Sequence, residues 1–354
     1  MNEAVVVADI GSFLSKVGFA GDDEPRVCIP SLGSTAKDGQ TAEEDNIRYN
    51  SLLPSPLDCK DWEYVESLWE KIFAELHTTI QGSNLLLTEN PLASGSTREK
   101  TAEILFEKHQ ISSLYLANRA VIALFSCGRT TGLVLDSGHG STSAVPVYET
   151  RALTHAIRQS NVAGNAITSY VATILAEKLQ HPIERSTVRA IKEKCTFVAL
   201  EYEYESQRAE FGASKISYEL PDGNEIALSS ERFMCTEPLF YPKRLETGAE
   251  EGASHLVLDS IMKCDQSIRK DMYGAICLAG GSTMFPGYSD RMHKEIVGQI
   301  AGTIRLNVIA PPDRKLSTWI GGSILASLNT FPLMSISKEE YQEIGPSITD
   351  IKCF

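Results

Sequence analysis

Two stretches of this chain share one layout, and that duplication constrains the fold more than any other feature. Gly132-Leu-Val-Leu-Asp-Ser-Gly-His-Gly-Ser-Thr-Ser-Ala-Val-Pro-Val-Tyr148 opens with an apolar run that reads as a buried strand. A glycine-rich turn over 137–140 follows, then an apolar return in which Pro146 is tolerable at a sheet edge. Val5-Val-Val-Ala-Asp-Ile-Gly-Ser-Phe-Leu-Ser-Lys-Val-Gly-Phe19 repeats the pattern, with Asp9 in the place of Asp136. Such a turn can aim several backbone N–H groups into one small volume, and glycine lets backbone approach a phosphate closely. Either stretch alone is also the pattern of an ordinary β-hairpin. Two of them facing each other would clamp a polyphosphate from both sides, with Lys16 in reach of phosphate oxygens. A carboxylate beside phosphates needs a cation between them, so Asp9 and Asp136 are candidate outer-sphere partners of hydrated magnesium.

Length and charge narrow the rest. At 354 residues the chain exceeds one ordinary core, so two or more domains are expected. A net charge of -13 with no long basic run argues against direct nucleic-acid binding. No apolar stretch approaches membrane-spanning length, and the first residues lack a signal-peptide pattern. The eight cysteines are scattered without C-x-x-C spacing, which reads as free thiols of a reducing compartment.

Along the chain, residues 33–49 are polar and read as an exposed loop. Trp62 to Leu76 has helical spacing with Asp61 as N-cap. Asn84 to Thr88 and Leu114 to Leu116 read as strands, Ser96 to His109 and Asn118 to Phe125 as helices. Beyond the second hairpin come helices at 167–178, 188–194 and 256–264, a charged exposed stretch at 201–210, and a hairpin over 216–226 turning at Pro-Asp-Gly. Tyr273 to Ala279 reads as a strand ending in Gly280-Gly281-Ser282-Thr283, before a helix near 289–296. That turn fits a third phosphate or purine loop, and equally a helix start capped by Ser or Thr. A strand over 304–309 and a helix from Trp319 to Leu328, opened by Gly321-Gly322, bring the chain back to the first lobe.

These residues also carry a resemblance. GFAGDDEPR (18–26), LLLTENPL (85–92), GRTTGLVLDSG (128–138), IRKDMY (268–273), GGSTMFPG (280–287), IAPPDRK (309–315) and WIGGSILASL (319–328) occur in order, and the chain resembles actin and the actin-related proteins over nearly its whole length. The resemblance implies an α/β fold of two similar, ribonuclease H-like lobes around a cleft holding ATP or ADP with Mg2+ or Ca2+. It places the first lobe at 1–128 plus 319–354, with a reduced subdomain near 30–60. The second lobe spans 129–318, with an inserted subdomain near 165–252. Carried over by position, Ser12, Phe13, Leu14 and Lys16 line the first phosphate turn and Gly138, His139 and Gly140 the second. Asp9 and Asp136 hold the hydrated metal. Gly164, Arg189, Lys192 and Glu193 surround ribose and base, and Gly281, Ser282, Met284, Phe285 and Lys315 close over the nucleotide. A groove between the lower halves of the lobes, with Phe125, Gly128, Ile324, Leu328 and Tyr341, is implied to accept amphipathic helices.

The chain departs from that pattern at telling places. Arg119 stands where the family has a glutamine that positions the attacking water, and arginine has no acceptor lone pair. Ser143 replaces a histidine of the same water network, and His139 replaces an aspartate of the second turn. These changes predict slow or altered hydrolysis, with Arg119 pairing either the γ-phosphate or Asp136. The segment 33–57 is shorter than the family's filament loop. The stretch 244–252 is charged where the family has a hydrophobic plug, and the acidic N-terminal cluster is reduced to Glu3. The reading that follows is an ATP-binding actin-related subunit, structural or regulatory, in a cytoskeletal or other assembly, with weak self-polymerisation. Its partners are actin or actin-related subunits and actin-binding proteins, and its place is the cytoplasm and cytoskeleton, with the nucleus left open. A filament-forming actin with slow turnover is the alternative. A sugar or glycerol kinase of the same two-lobed fold is a third, disfavoured by the match over 309–354.

Overall fold

The computed structural model describes residues 4–31, 61–245 and 251–353. The expectations for 33–57, Cys59, Glu3 and most of the plug stretch lie outside the described residues. In chain order, β1 (Val5–Ile10), β2 (Leu14–Phe19), β3 (Val27–Pro30), β4 (Asn84–Glu89) and β5 (Ser113–Asn118) build one sheet. A second sheet contains β6 (Gly132–Ser137), β7 (Thr142–Tyr148), β8 (Arg151–Ala152) and β9 (Arg158–Ser160). The hairpin β10 (Ile216–Glu219) and β11 (Glu225–Leu228) stands apart. Then β12 (Ile276–Ala279) and β13 (Val308–Ile309) complete the second sheet, and β14 (Ile336–Ser337) joins β5 at the edge of the first.

The two sheets repeat one plan. In the first, β1 is antiparallel to β2 and parallel to β4, giving the order β3-β2-β1-β4-β5. In the second, β6 is antiparallel to β7 and parallel to β12, giving β8-β7-β6-β12-β13. The central strands Val5–Ile10 and Gly132–Ser137 are almost wholly buried, so they read as continuous apolar runs and not as alternating ones. Pro146 lies on an interior strand, not at an edge. Its carbonyl accepts from Leu153, so its ring nitrogen points to the side where β9 has ended at Ala144 and β8 begins at Val147. No ladder bond is lost there, which is why proline is tolerated.

Each sheet has its own core. Val7, Leu86, Leu105 and Trp319 belong to one, and Leu133, Ile167, Ile261 and Tyr288 to the other. The helix Arg119–Ser126 serves both. Ile122 packs into the first core, while Ala120, Ala123 and Leu124 pack on Val134, Val145 and Cys277 of the second sheet. Fully burying each large aliphatic side chain of this kind contributes about 1.5–3 kcal/mol. Asn118 caps that helix by accepting from the Ala120 N–H at 3.1 Å. Against it lies the helix Ser317–Ala326, whose Trp319 indole donates to the Val7 carbonyl at 3.0 Å. Gly321 and Gly322 do not open this helix; they sit within it. A Cβ on Gly321 would come 1.7 Å from the Ile122 carbonyl oxygen, so the two backbones touch only because no side chain intervenes.

Other expectations shift more modestly. Asp61 caps Trp62–Glu75 as expected, accepting from Tyr64. The helix Gly95–Glu103 starts at a Ser94 cap and runs on through the π-turn Ile104–Lys108. Tyr273 ends a short helix, Arg269–Tyr273, and the strand begins three residues later. Only Val308–Ile309 of 304–309 pairs as strand. The stretch at 201–210 is a helix, Tyr202–Glu210, with no buried residue, as its charge predicts. No helix of the described residues is long and apolar enough to cross a membrane.

Candidate functional site

Asp9 and Asp136 are each the fifth residue of their strand, β1 and β6, so the duplicated sheets place one carboxylate at the same point of each hairpin. Antiparallel register then decides what faces it. Asp9 is opposite Lys16, and Asp136 is opposite Ser143.

Asp9 is 3% exposed and fully engaged. Its Oδ2 accepts from Lys16 Nζ at 2.8 Å, and its Oδ1 accepts from Thr88 Oγ1 at 2.9 Å and from Arg119 Nη2 at 3.4 Å. Burial pushes its pKa up, but the charges of Lys16 and Arg119 and the hydrogen bonds from Lys16 and Thr88 outweigh it, and the carboxyl is held below its ordinary value. Asp136 lies deep in the cleft with part of its surface still open, and its carboxylate accepts no hydrogen bond among the described residues. Burial raises its pKa. The charge of Arg119, the next largest influence, lowers it, Asp9 raises it and Lys16 lowers it, and the net direction is upward. Arg119 therefore pairs with Asp9 and donates to the Ile10 carbonyl at 3.3 Å, instead of pairing with Asp136. It is the first residue of its helix, where the macrodipole opposes a cation, so the acceptors on β1 are what hold it there.

The second turn is braced from its own lobe. The Gly138 carbonyl accepts from the Gly164 N–H at 3.0 Å and the Ser282 hydroxyl at 2.7 Å, and the His139 carbonyl accepts from the Asn165 N–H at 2.8 Å. Gly280, at φ +87, brings its backbone so near that a Cβ would meet the Ser137 carbonyl oxygen at 2.3 Å. A Cβ on Gly164 would lie 2.9 Å from Ser282 Oγ and 3.1 Å from the Gly138 oxygen. The loop Gly280–Thr283, left open between a ligand loop and a cap, thus supports the turn from behind. On the cleft side the Gly140 N–H donates to Ser12 Oγ at 3.1 Å, joining the two hairpins directly. The Phe13 ring stacks on His139 with centroids 4.9 Å apart, and the Arg189 guanidinium lies 4.1 Å over Phe13. Burial, then the charges of Lys192, Arg189 and Arg185, push the His139 pKa down to about 3, so its imidazole is neutral. Lys192 is buried, donates to the Gly164 carbonyl and Thr168 Oγ1, and burial lowers its pKa to about 8.

A family model described as Actin matches residues 1–354. The chain belongs to the actin family. Members of that family generally bind a nucleotide and a divalent cation.

The actin fold brings Asp9, Ser12, Phe13, Lys16, Arg119, Asp136, Gly138, His139, Gly140, Gly164, Arg189 and Ser282 to one cleft. Glu193 and Lys315 stand exposed, Phe285 is buried, and Leu14 and Met284 are half-buried. Ser143 is buried on β7 across from Asp136. Thr88 and Arg185 are additions. Parallel pairing of Ala8 with Leu87 sets Thr88 beside Asp9, a relation that no spacing in the sequence announces. The donor set fits phosphate, since glycine backbone and several cations line the walls. It fits a hydrated divalent cation poorly, because Asp9 already carries two cations and a hydroxyl, and the Arg119 guanidinium stands where such an ion would approach.

The lower groove is a cavity of about 370 Å3 lined by Phe125, Tyr115, Val121, Thr150, Leu333 and Ile351, among others. Of the residues implied by the resemblance, Phe125 lines it. Ile324 and Leu328 are exposed at 47% and 48%, and Gly128 is exposed in a left-handed turn. Tyr341 faces inward, stacked on Phe106 and donating to Glu107 at 2.9 Å, so it supports the first core and does not line the groove.

Proposed function

We propose that the cleft binds ATP or ADP between the two glycine turns, and that the chain works as a structural or regulatory subunit of a larger assembly with slow hydrolysis. The observation that carries the nucleotide reading is the direct bond from the Gly140 N–H to Ser12 Oγ. It sets two glycine turns face to face beneath a wall of cations. Slow turnover follows from chemistry at two positions. Arg119 offers only donors and is committed to Asp9 and Ile10, and Ser143 lacks a base of suitable pKa. The partners supported by family membership are other actin-like subunits and actin-binding proteins, with an amphipathic helix the fitting shape for the lower groove.

Mass spectrometry of nucleotide released from the purified chain, with phosphate release measured over hours, tests the first half. An adenine nucleotide at one per chain and negligible phosphate are expected. The pair Arg119→Gln and Ser143→His is expected to raise turnover, and unchanged turnover removes the account of slow hydrolysis. Sedimentation in magnesium and potassium tests the second half, since long self-made filaments would favour a slow filament-forming actin.

A further inference from the structure

We infer that Arg119 takes over the electrostatic role of the divalent cation in this chain, so that the cleft holds its nucleoside di- or triphosphate without metal. The inference rests on the nucleotide reading above and concerns how that ligand is held.

The geometry of Asp9 is the starting point. Its two oxygens accept from three donors: Lys16, Thr88 and Arg119. Three of the roughly four acceptor positions of this carboxylate are filled, two of them by cations, at a group only 3% exposed, so little of it remains for a metal-bound water. Asp136 is the cleft carboxylate left without a cation on it, and a hydrated magnesium reaching it would stand beside the Arg119 guanidinium. Arg119 is enclosed, with its side chain 12% exposed, and is anchored on β1 by the Asp9 carboxylate and the Ile10 carbonyl. Its guanidinium is always charged and presents several donors in a plane, so it can face a carboxylate and a phosphate oxygen together.

Charge supports the same conclusion. Two cations, Lys16 and Arg119, already stand on Asp9 with no metal added, and neutral His139 places no further negative charge on the second turn. Arg189 and Lys192 then stand on the ligand's side of the balance. A divalent cation brought into this site would meet cations already in place.

The test is calorimetric titration of the full chain with ATP, in magnesium and in EDTA, together with ATP retained through gel filtration in EDTA. The unmodified chain is expected to give dissociation constants within about threefold in the two buffers. Arg119→Gln is expected to weaken ATP by about tenfold or more in EDTA and to recover in magnesium. Arg119→Lys keeps the charge and is expected to stay indifferent to metal, which separates loss of charge from loss of fold. ATP bound only with magnesium by the unmodified chain overturns the inference and leaves the nucleotide reading standing. No binding in either buffer overturns both.

Discussion

The two hairpins are copies in backbone and opposites in electrostatics. Asp9 and Asp136 occupy the same strand position in sheets of the same order. Yet Asp9 faces a lysine and is held ionised, while Asp136 faces a serine and is pushed toward its neutral form. Duplication preserves what the backbone needs, a buried strand and a turn that glycine permits. The residue directly opposite in register is free to change: Lys16 supplies the largest counterweight to burial at Asp9, while at Asp136 burial itself sets the direction. The first hairpin is held together by ion pairs, and the second by backbone and hydroxyl bonds from Gly164, Asn165 and Ser282 behind it.

The largest test of that contrast removes each carboxylate in turn. Asp9→Asn leaves Lys16 and Arg119 enclosed without their anion, and a loss of about 3–5 kcal/mol in urea unfolding is expected. Asp136→Asn removes a charge that burial disfavours, so stability is expected to hold within about 1 kcal/mol or to rise. Equal losses at the two sites would break the comparison. pH separates them further. The Asp9 pKa is lowered in the folded chain, so its contribution is present above the ordinary carboxylate range and is lost as pH falls through the folded value. The Asp136 pKa is raised, so its contribution is present below that range and is lost as pH rises through the folded value. The deficit of Asp9→Asn should therefore be complete above about pH 4 and shrink as pH falls below it, whereas Asp136→Asn should gain on the unmodified chain as pH rises from about 4 through the raised folded value.

An intermediate effect probes the bracing of the second turn. Gly280→Ala demands a left-handed alanine against the Ser137 carbonyl, at an expected cost of about 1–3 kcal/mol. Gly11→Ala in the first hairpin meets only the Leu14 oxygen at 3.0 Å, with an ordinary φ, and is expected to cost less in the same unfolding experiment. A larger loss at Gly11 would mean that the first turn, and not the second, depends on close backbone approach.

Much of this frame is legible in the sequence. Twin apolar runs ending in Asp9 and Asp136, each followed by a glycine turn, are local patterns, and they fold where the pattern says. What escaped is non-local. Thr88 reaches Asp9 only through parallel pairing of β4 with β1, and Arg119, directly after the end of β5, reaches Asp9 and the Ile10 carbonyl from two strands away in the sheet. Gly321 and Gly322 read as a helix opening, yet their role is set by Ile122 on another helix, some two hundred residues earlier in the chain. Tyr341 matched a groove by resemblance, but Phe106 and Glu107 draw it inward. Sequence patterns report periodicity and turn chemistry; they do not report which distant surface a side chain will meet.

The smallest expected effect concerns His139, the one residue of the second turn that rests on the first hairpin through an aromatic ring. Stacking on Phe13 contributes about 0.5–1.5 kcal/mol, and His139→Asn should cost no more than that. Because burial and the surrounding lysine and arginines keep the imidazole neutral down to about pH 3, it adds no titration to ligand binding at neutral pH. The affinity for ATP is then expected to stay flat between about pH 5 and 8, apart from the ligand's own ionisation and the onset of Lys192 deprotonation at the upper end. Titrations across that range in the unmodified chain and in His139→Asn should superimpose in shape. A break near the ordinary histidine pKa, present in one and absent in the other, would put a positive charge on the second turn. The two hairpins would then be alike in carrying a cation, and the contrast between them would lie in the bracing alone.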